Sequence, residues 1–217
     1  MIFAIGSLTA ACMQGLILGA MIEGISVDGV AFSGSVFDCF RPFPCLCALC
    51  VLDGYVVLGG CWLQFKTSAL LHRFSVRTLR IALPLFLLTF FVVGGVALLV
   101  QPGIRAACQI HPLLLGTVDC TLLIAAFILF NSIGKRPDVR PLAAGIVMIA
   151  SGIAGIAILV FPMVVPFRVS IWNASSSRLS QIFLLTGAIV VTPVVLGYSF
   201  FAYWVFRGKT PEKGWDG

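Results

Sequence analysis

The chain has 217 residues, 60% of them hydrophobic and 10% charged, with a mean hydropathy of +1.10. A soluble domain is nearer roughly 45–50% apolar and about 25% charged, so this chain has too little polar surface to cover a globule. A soluble enzyme, a disordered chain and a nucleic-acid-binding module are excluded. The net charge of +6 reads instead as the loop cations of a polytopic membrane protein.

Six runs carry few or no charges and are each long enough to cross a hydrocarbon core of about 30 Å. The spans are expected at Ile2 to Ile25, Pro44 to Phe65, Ile81 to Val100, Pro112 to Ile133, Pro141 to Val165 and Gln181 to Phe206. All are predicted to be helices, because lipid offers a backbone N–H or C=O no partner outside its own segment. A barrel would need strands of about 10 residues alternating apolar and polar, and Leu83-Pro84-Leu85-Phe86-Leu87-Leu88 does not alternate. The expected fold class is therefore all-α, a bundle of six transmembrane helices forming one integral membrane domain over residues 1–217. Met1 leads directly into the first span, and no Lys or Arg precedes Arg41. A signal peptide would carry a charged n-region, so the opening reads as a span, and as the interior of a longer chain would read.

Orientation follows from the cations. Lys66, Arg73, Arg77 and Arg80 follow the second span, Lys135, Arg136 and Arg140 follow the fourth, and Arg207, Lys209 and Lys213 follow the sixth. The opposite side has Arg41, Arg105, Arg168 and Arg178. Ten against four places both termini in the cytoplasm by the positive-inside rule. Trp172 on the outer side, and Trp62, Tyr203 and Trp204 near the inner ends, fit interfacial aromatic belts.

Few residues suggest chemistry. The stretch Cys39-x5-Cys45-x-Cys47-x2-Cys50 matches no standard zinc or iron–sulfur spacing. Its members inside the second span read as small packing residues, and no metal site is expected. Cys39 and Cys108 fall in outer loops, where pairing is open. The histidines, His72 and His111, are expected outside the spans, which argues against haem ligation by this chain. Met13, Met148 and Met163 read as core filler. The acids are more telling: Glu23 at the outer end of the first span, Asp53 in the middle of the second, and Asp119 in the outer half of the fourth. An ionised carboxylate in hydrocarbon costs several kcal/mol, so such groups are expected to face a bundle interior. They are candidates for a proton path or for helix–helix hydrogen bonds, and both readings stand at this point. Gly15-x3-Gly19 and the glycines of later spans suit close helix approach. No P-loop, nucleophile elbow or HExxH is present.

Resemblance reaches further than composition. Phe161-Pro162-Met163-Val164-Val165-Pro166, Ile171-Trp172-Asn173-Ala174-Ser175, and the close Pro193, Tyr198, Ala202-Tyr203-Trp204-Val205-Phe206-Arg207-Gly208-Lys209 resemble the C-terminal end of subunit II of cytochrome bd-type quinol oxidases, the cyanide-insensitive branch in particular. Gln14-Gly15, Leu18-Gly19, Glu23-Gly24, Phe37-Asp38, Pro42-Phe43, Gly54-Tyr55, Leu58-Gly59, and Trp62 through Lys66-Thr67 resemble earlier parts of the family in the right order. The chain departs at Asn173, where the family usually has Asp, and at Ser68 and Ala69, where an inner-loop Glu is usual. It resembles the last six of the family's eight spans, so the N-terminal part, including acids proposed for proton entry, is expected to be missing.

The resemblance implies an accessory subunit of a ubiquinol oxidase in the bacterial inner membrane. Its partner, subunit I, would carry haem b and haem d, oxidise quinol and reduce oxygen to water. No catalytic residue is assigned to this chain. Partners implied are subunit I, membrane lipid and quinone, with no nucleic acid. The alternatives are a small-solute or ion carrier using Asp53, Asp119 and Gln14 at a midplane site, and a stand-alone haem protein. A carrier predicts broken helices in matching positions of two halves, and Pro84, Pro162 and Pro193 show no such pairing.

Overall fold

The computed structural model describes residues 2–24, 27–28, 31–32, 34–67, 69–135, 139–165 and 169–205. In chain order these form α1 (Ile2–Glu23), a short hairpin β1 (Val27–Asp28) and β2 (Ala31–Phe32), a 3₁₀ turn at Val36–Phe40, α2 (Pro42–Lys66), α3 (Ala69–Val100), α4 (Pro102–Ile110), α5 (Pro112–Ser132), α6 (Arg140–Val160), a second hairpin β3 (Met163–Val165) and β4 (Val169–Ser170), α7 (Ile171–Ala174) and α8 (Arg178–Val205). Six of these helices are long and apolar enough to cross a membrane. The chain is an all-α, multi-pass membrane protein.

Local chemistry sets the helix ends. Helices α2, α4, α5 and α6 each carry proline in the first turn, where its missing N–H costs nothing and its fixed φ is already helical. Helix α1 ends at Gly24, φ 104°, whose N–H returns to Ala20 O at 3.1 Å. Arg105 donates to Leu98 O from Nε (3.2 Å) and Nη2 (2.8 Å), a cation placed at the negative end of α3.

Three expectations about the spans are corrected. The third span's helix begins at Ala69, twelve residues before Ile81, because hydropathy marks where a helix enters lipid and not where it starts. Nothing between Ala69 and Arg80 breaks a helix, as neither Gly nor Pro occurs there. His72, expected in a loop, therefore lies on α3. The fifth span's helix ends at Val160, five residues short of Val165, because Pro162 disfavours the helical conformation at Phe161. The Phe161–Pro162 peptide is cis, and the chain continues as β3. The third-to-fourth loop is itself helical: α4 tucks Ile104 into a small core with Ile22, Phe43, Cys47 and Ala97.

Helix α2 is central, packed on α1, α3 and α6, while α5 packs on α6. The main core gathers Val57, Cys61, Leu79, Leu83, Phe86, Leu122, Leu129 and Met148, all nearly or fully buried. The α1–α2 contact is a close backbone approach. A Cβ built on Gly15 would lie 2.4 Å from Ala48 Cα, and one on Gly19 would lie 2.5 Å from Pro44 Cα. Small residues supply this contact where no hydrophobic drive separates helix from lipid. Helix α8 buries none of its residues; Tyr203 on it meets Trp62 of α2 edge-on, 6.4 Å between centroids.

Candidate functional site

The interacting polar groups fall into separate clusters at three depths. Mid-span, Asp53 on α2 is 7% exposed. Thr89 Oγ1 on α3 lies 3.0 Å from Asp53 Oδ2 and 3.1 Å from Phe86 O. The Thr89 hydroxyl thus links the carboxyl of α2 to the backbone of α3. Gly54 beside Asp53 lets Phe86 and Ile149 close over it, 3.2–3.3 Å from where a Cβ would stand. The cluster ties α2 to α3 in the interior.

At one end of the bundle, Arg41 Nη1 lies 3.5 Å from Glu23 Oε1 and Arg41 Nη2 lies 3.1 Å from Asp38 Oδ1. Asp38 Oδ2 accepts from Ser35 N at 2.8 Å, closing the capping box of the 3₁₀ turn. Gln101 Nε2 donates to Glu23 O at 3.0 Å and Ile22 O at 3.4 Å, tying the end of α1 to the α3–α4 junction. These are partly exposed contacts in water's reach, each worth about 0–1 kcal/mol.

At the opposite end, Gln64 is fully buried and its Nε2 donates to Ser132 O at 3.1 Å. Its Oε1 and His72 Nδ1 are buried without a hydrogen-bond partner among the described residues. Lys66 Nζ lies 5.6 Å from the Trp62 ring and 5.7 Å from the Phe65 ring, within cation–π range. Trp62 and Tyr203, expected with Trp204 in an interfacial belt, meet edge-on, and Lys66 joins them through Trp62. Trp204 stacks obliquely on Phe201 at 6.4 Å.

The three acids are not assembled into one path. Glu23 is held at one rim of the bundle and Asp53 in the interior. Asp119 is exposed on α5, contrary to the expectation of an inward-facing group. The buried stripe of α5 comprises Leu122, Ala125, Ala126 and Leu129, and Asp119 stands one turn before it, where the packed region has ended. Its charge acts on Cys108 of α4, whose thiol is pushed up first by burial and then by this neighbour. Sequence reasoning missed Thr89, Gln64 and Gln101, because a Thr or Gln in an apolar run shows no sign of its partner. A second small link, Tyr55 OH to Gln14 Oε1 at 2.6 Å, joins α1 and α2.

Of the family-signature positions, Phe161 and Pro162 form the cis turn, and Pro162 O accepts from Ile171 N at 2.9 Å. Trp172 is exposed, and Asn173 N donates to Ser170 Oγ at 3.4 Å in the cap of α7. Pro166, Phe206 and the tail cations Arg207, Lys209 and Lys213 lie outside the described residues, as do Arg136 and Arg168. Cys108, like Cys12, Cys45, Cys47, Cys50, Cys61 and Cys120, is a free thiol, and no group of three metal-ligating side chains occurs among the described residues. His72 sits near the start of α3 and His111 at the junction of α4 and α5, at opposite ends of the bundle. A bilayer's thickness separates those ends, so the two cannot ligate one haem iron.

The profile of the family described as cytochrome bd terminal oxidase subunit II matches residues 1–206. The chain is 26% identical over 246 aligned positions to the "Probable cytochrome oxidase subunit 2" of Haemophilus influenzae, covering 94% of this chain and 63% of that protein. It is 22% identical over 251 positions to the "Cytochrome bd-I ubiquinol oxidase subunit 2" of Escherichia coli K12, covering 96% of this chain and 65% of that protein. The chain thus spans just under two thirds of the length of these relatives. Neither the family nor the relatives support a solute carrier. With a family match running through all six spans, the chain belongs to the cytochrome bd terminal oxidase subunit II family.

Proposed function

We propose that this chain is an accessory subunit that packs beside a haem-bearing subunit I and supports its oxidation of ubiquinol and reduction of oxygen to water. The observation that carries the proposal is the family match over residues 1–206; the printed name of the Escherichia coli relative supplies the ubiquinol. The haems, b and d, belong to the partner in this proposal, because the described residues offer no pair of facing axial ligands. The whole chain acts as one integral membrane unit in a bacterial inner membrane, with both termini cytoplasmic. Support for the orientation comes from Lys66, Arg73, Arg77, Arg80, Lys135 and Arg140 gathering at one end of the bundle.

No catalytic residue is assigned here. Asp53 serves as a link between α2 and α3 through Thr89, and Glu23 as the outer anchor of Arg41. Asp119, on the outside of α5, joins neither. Trp62, Lys66 and Tyr203 fix the inner ends of α2 and α8 at the interface.

Detergent extraction from cells that also express the haem-bearing subunit, followed by mass spectrometry and oxygen-consumption assays, tests the proposal. Co-purification in equal amounts is expected, with ubiquinol-dependent oxygen uptake by the pair. Recovery of this chain as a lone monomer from those cells overturns it.

A further inference from the structure

Helix α3 is longer than its membrane requires. Its 32 residues span about 48 Å at 1.5 Å per residue. The 20 residues from Ile81 to Val100 already cover a hydrocarbon core of about 30 Å. The twelve residues Ala69 to Arg80 therefore continue as helix through the headgroup layer. At about 100° per residue, Arg73, Arg77 and Arg80 fall on one stripe about 60° wide. All three are exposed, while Ser75 and Leu79 on the opposite face are fully buried. None of the three has an ion pair among the described residues. Arg80 leans toward the α5–α6 turn, its Nη2 3.8 Å from where a Cβ on Gly134 would stand, which brings the exposed Lys135 to the same corner. No acid occupies the first turn of α3, so the positive end of the helix dipole adds to the field.

The positive-inside rule accounts for cations on this side of the membrane; it does not require three of them on one stripe. The surroundings of the stripe identify what it meets. Exposed Leu70, Phe74 and Ile81 lie alongside it, and the ridge continues down the same face through Leu85 and Leu88, also exposed. A cationic stripe above an outward apolar ridge on one helix matches a ligand with an anionic head and hydrocarbon tails. A water-filled anion site or an acidic peptide would not need the ridge.

We propose that Arg73, Arg77 and Arg80, with Lys135, bind the phosphate of an acidic phospholipid in the leaflet on that side, its acyl chains lying along Ile81, Leu85 and Leu88. Arg73 and Arg77, one turn apart, present adjacent guanidinium forks to the phosphodiester. Arg80 and Lys135 close the corner beneath it.

Native mass spectrometry of the full chain, extracted with any subunit that accompanies it and titrated with phosphatidylglycerol or phosphatidylcholine, tests the proposal. Wild type is expected to retain phosphatidylglycerol in preference to phosphatidylcholine. The double variant R73Q/R77Q should weaken phosphatidylglycerol binding about 30-fold, about fivefold for each charge removed, and leave phosphatidylcholine unaffected. R73K/R77K, which keeps both charges and excludes misfolding as the cause, should retain most of the preference. Equal retention of the two lipids by wild type overturns the proposal, as does displacement of phosphatidylglycerol by equimolar inorganic phosphate. An R73Q/R77Q variant that loses its accompanying subunit while keeping its lipid preference reassigns the stripe to a protein contact and overturns it as well.

Discussion

A carboxyl group inside a helix pair in hydrocarbon has few partners, and Asp53 finds one in Thr89, 36 residues away on the next helix. An amide can take the same place, since it both donates and accepts. Asp53→Asn is therefore expected to leave the fold, the haem content of the complex and its oxygen uptake unchanged. Thr89→Val strips the partner and should destabilise the α2–α3 pair by about 0.5–2 kcal/mol, the range for interhelical hydrogen bonds in membranes; unfolding in mixed detergent micelles measures it. Slowed oxygen uptake by Asp53→Asn at full haem content would falsify the linking role and restore a proton path. Cys108 tests the outer surface. Burial and the charge of Asp119 hold its thiol up, so at a pH near 8 it carries less thiolate folded than unfolded. Alkylation should be slower in the folded chain than in denatured chain at that pH, the gap closing as pH rises above the raised value. Asp119→Asn should speed it only modestly, because burial is the larger cause. An unaltered rate in Asp119→Asn would place the two groups further apart than the structure does.

At the scale of helices, the α1–α2 contact depends on two missing side chains. Gly15 and Gly19 set the backbones of α1 and α2 against each other, and a valine at Gly19 would drive its Cβ to 2.5 Å from Pro44 Cα. Gly19→Val is expected to cost about 1–3 kcal/mol by overpacking and to expose α1 to proteolysis in detergent. Gly6→Val on the same helix, with nothing within 4 Å, should be silent. Equal resistance of both variants to protease would show that α1 is held by other means. The sequence displayed this spacing without saying which helix would fill it. It also hid the length of α3, because the basic residues that end the hydropathic run are good helix formers.

For the molecule as a whole, the proposed accessory role calls for a face left open to a partner. Helix α8 buries no residue within the chain, whereas α2 is packed on three sides. The isolated chain, expressed without the haem-bearing subunit and purified in detergent, is expected to give no stoichiometric haem signal in a reduced-minus-oxidised spectrum. The warrant is positional: His72 and His111 stand at opposite ends of the bundle, and the buried cysteines would have to ligate as thiolates in surroundings that disfavour charge. A b- or d-type signal abolished by changing His72 or His111 would overturn both this outcome and the accessory role.

The six crossings and the all-α class were set by the sequence alone, because the cost of an unpaired backbone group in lipid leaves helix as the one solution for each apolar run. The gathering of Lys66, Arg73, Arg77, Arg80, Lys135 and Arg140 at one end of the bundle was legible for the same reason, since each of these cations stands in a loop or near a helix end. Which way each helix turns was not. Asp53 and Asp119 look alike in the sequence, each a single acid in an apolar run, yet one is enclosed against Thr89 and Phe86 and the other is exposed one turn beyond the packed part of α5. Hydropathy is a property of a window along one chain segment. Burial inside a bundle depends on which two faces meet, and that is decided by side chains far apart in sequence, by Gly15 against Ala48, Gly60 against Leu79, and Gly145 against Cys61.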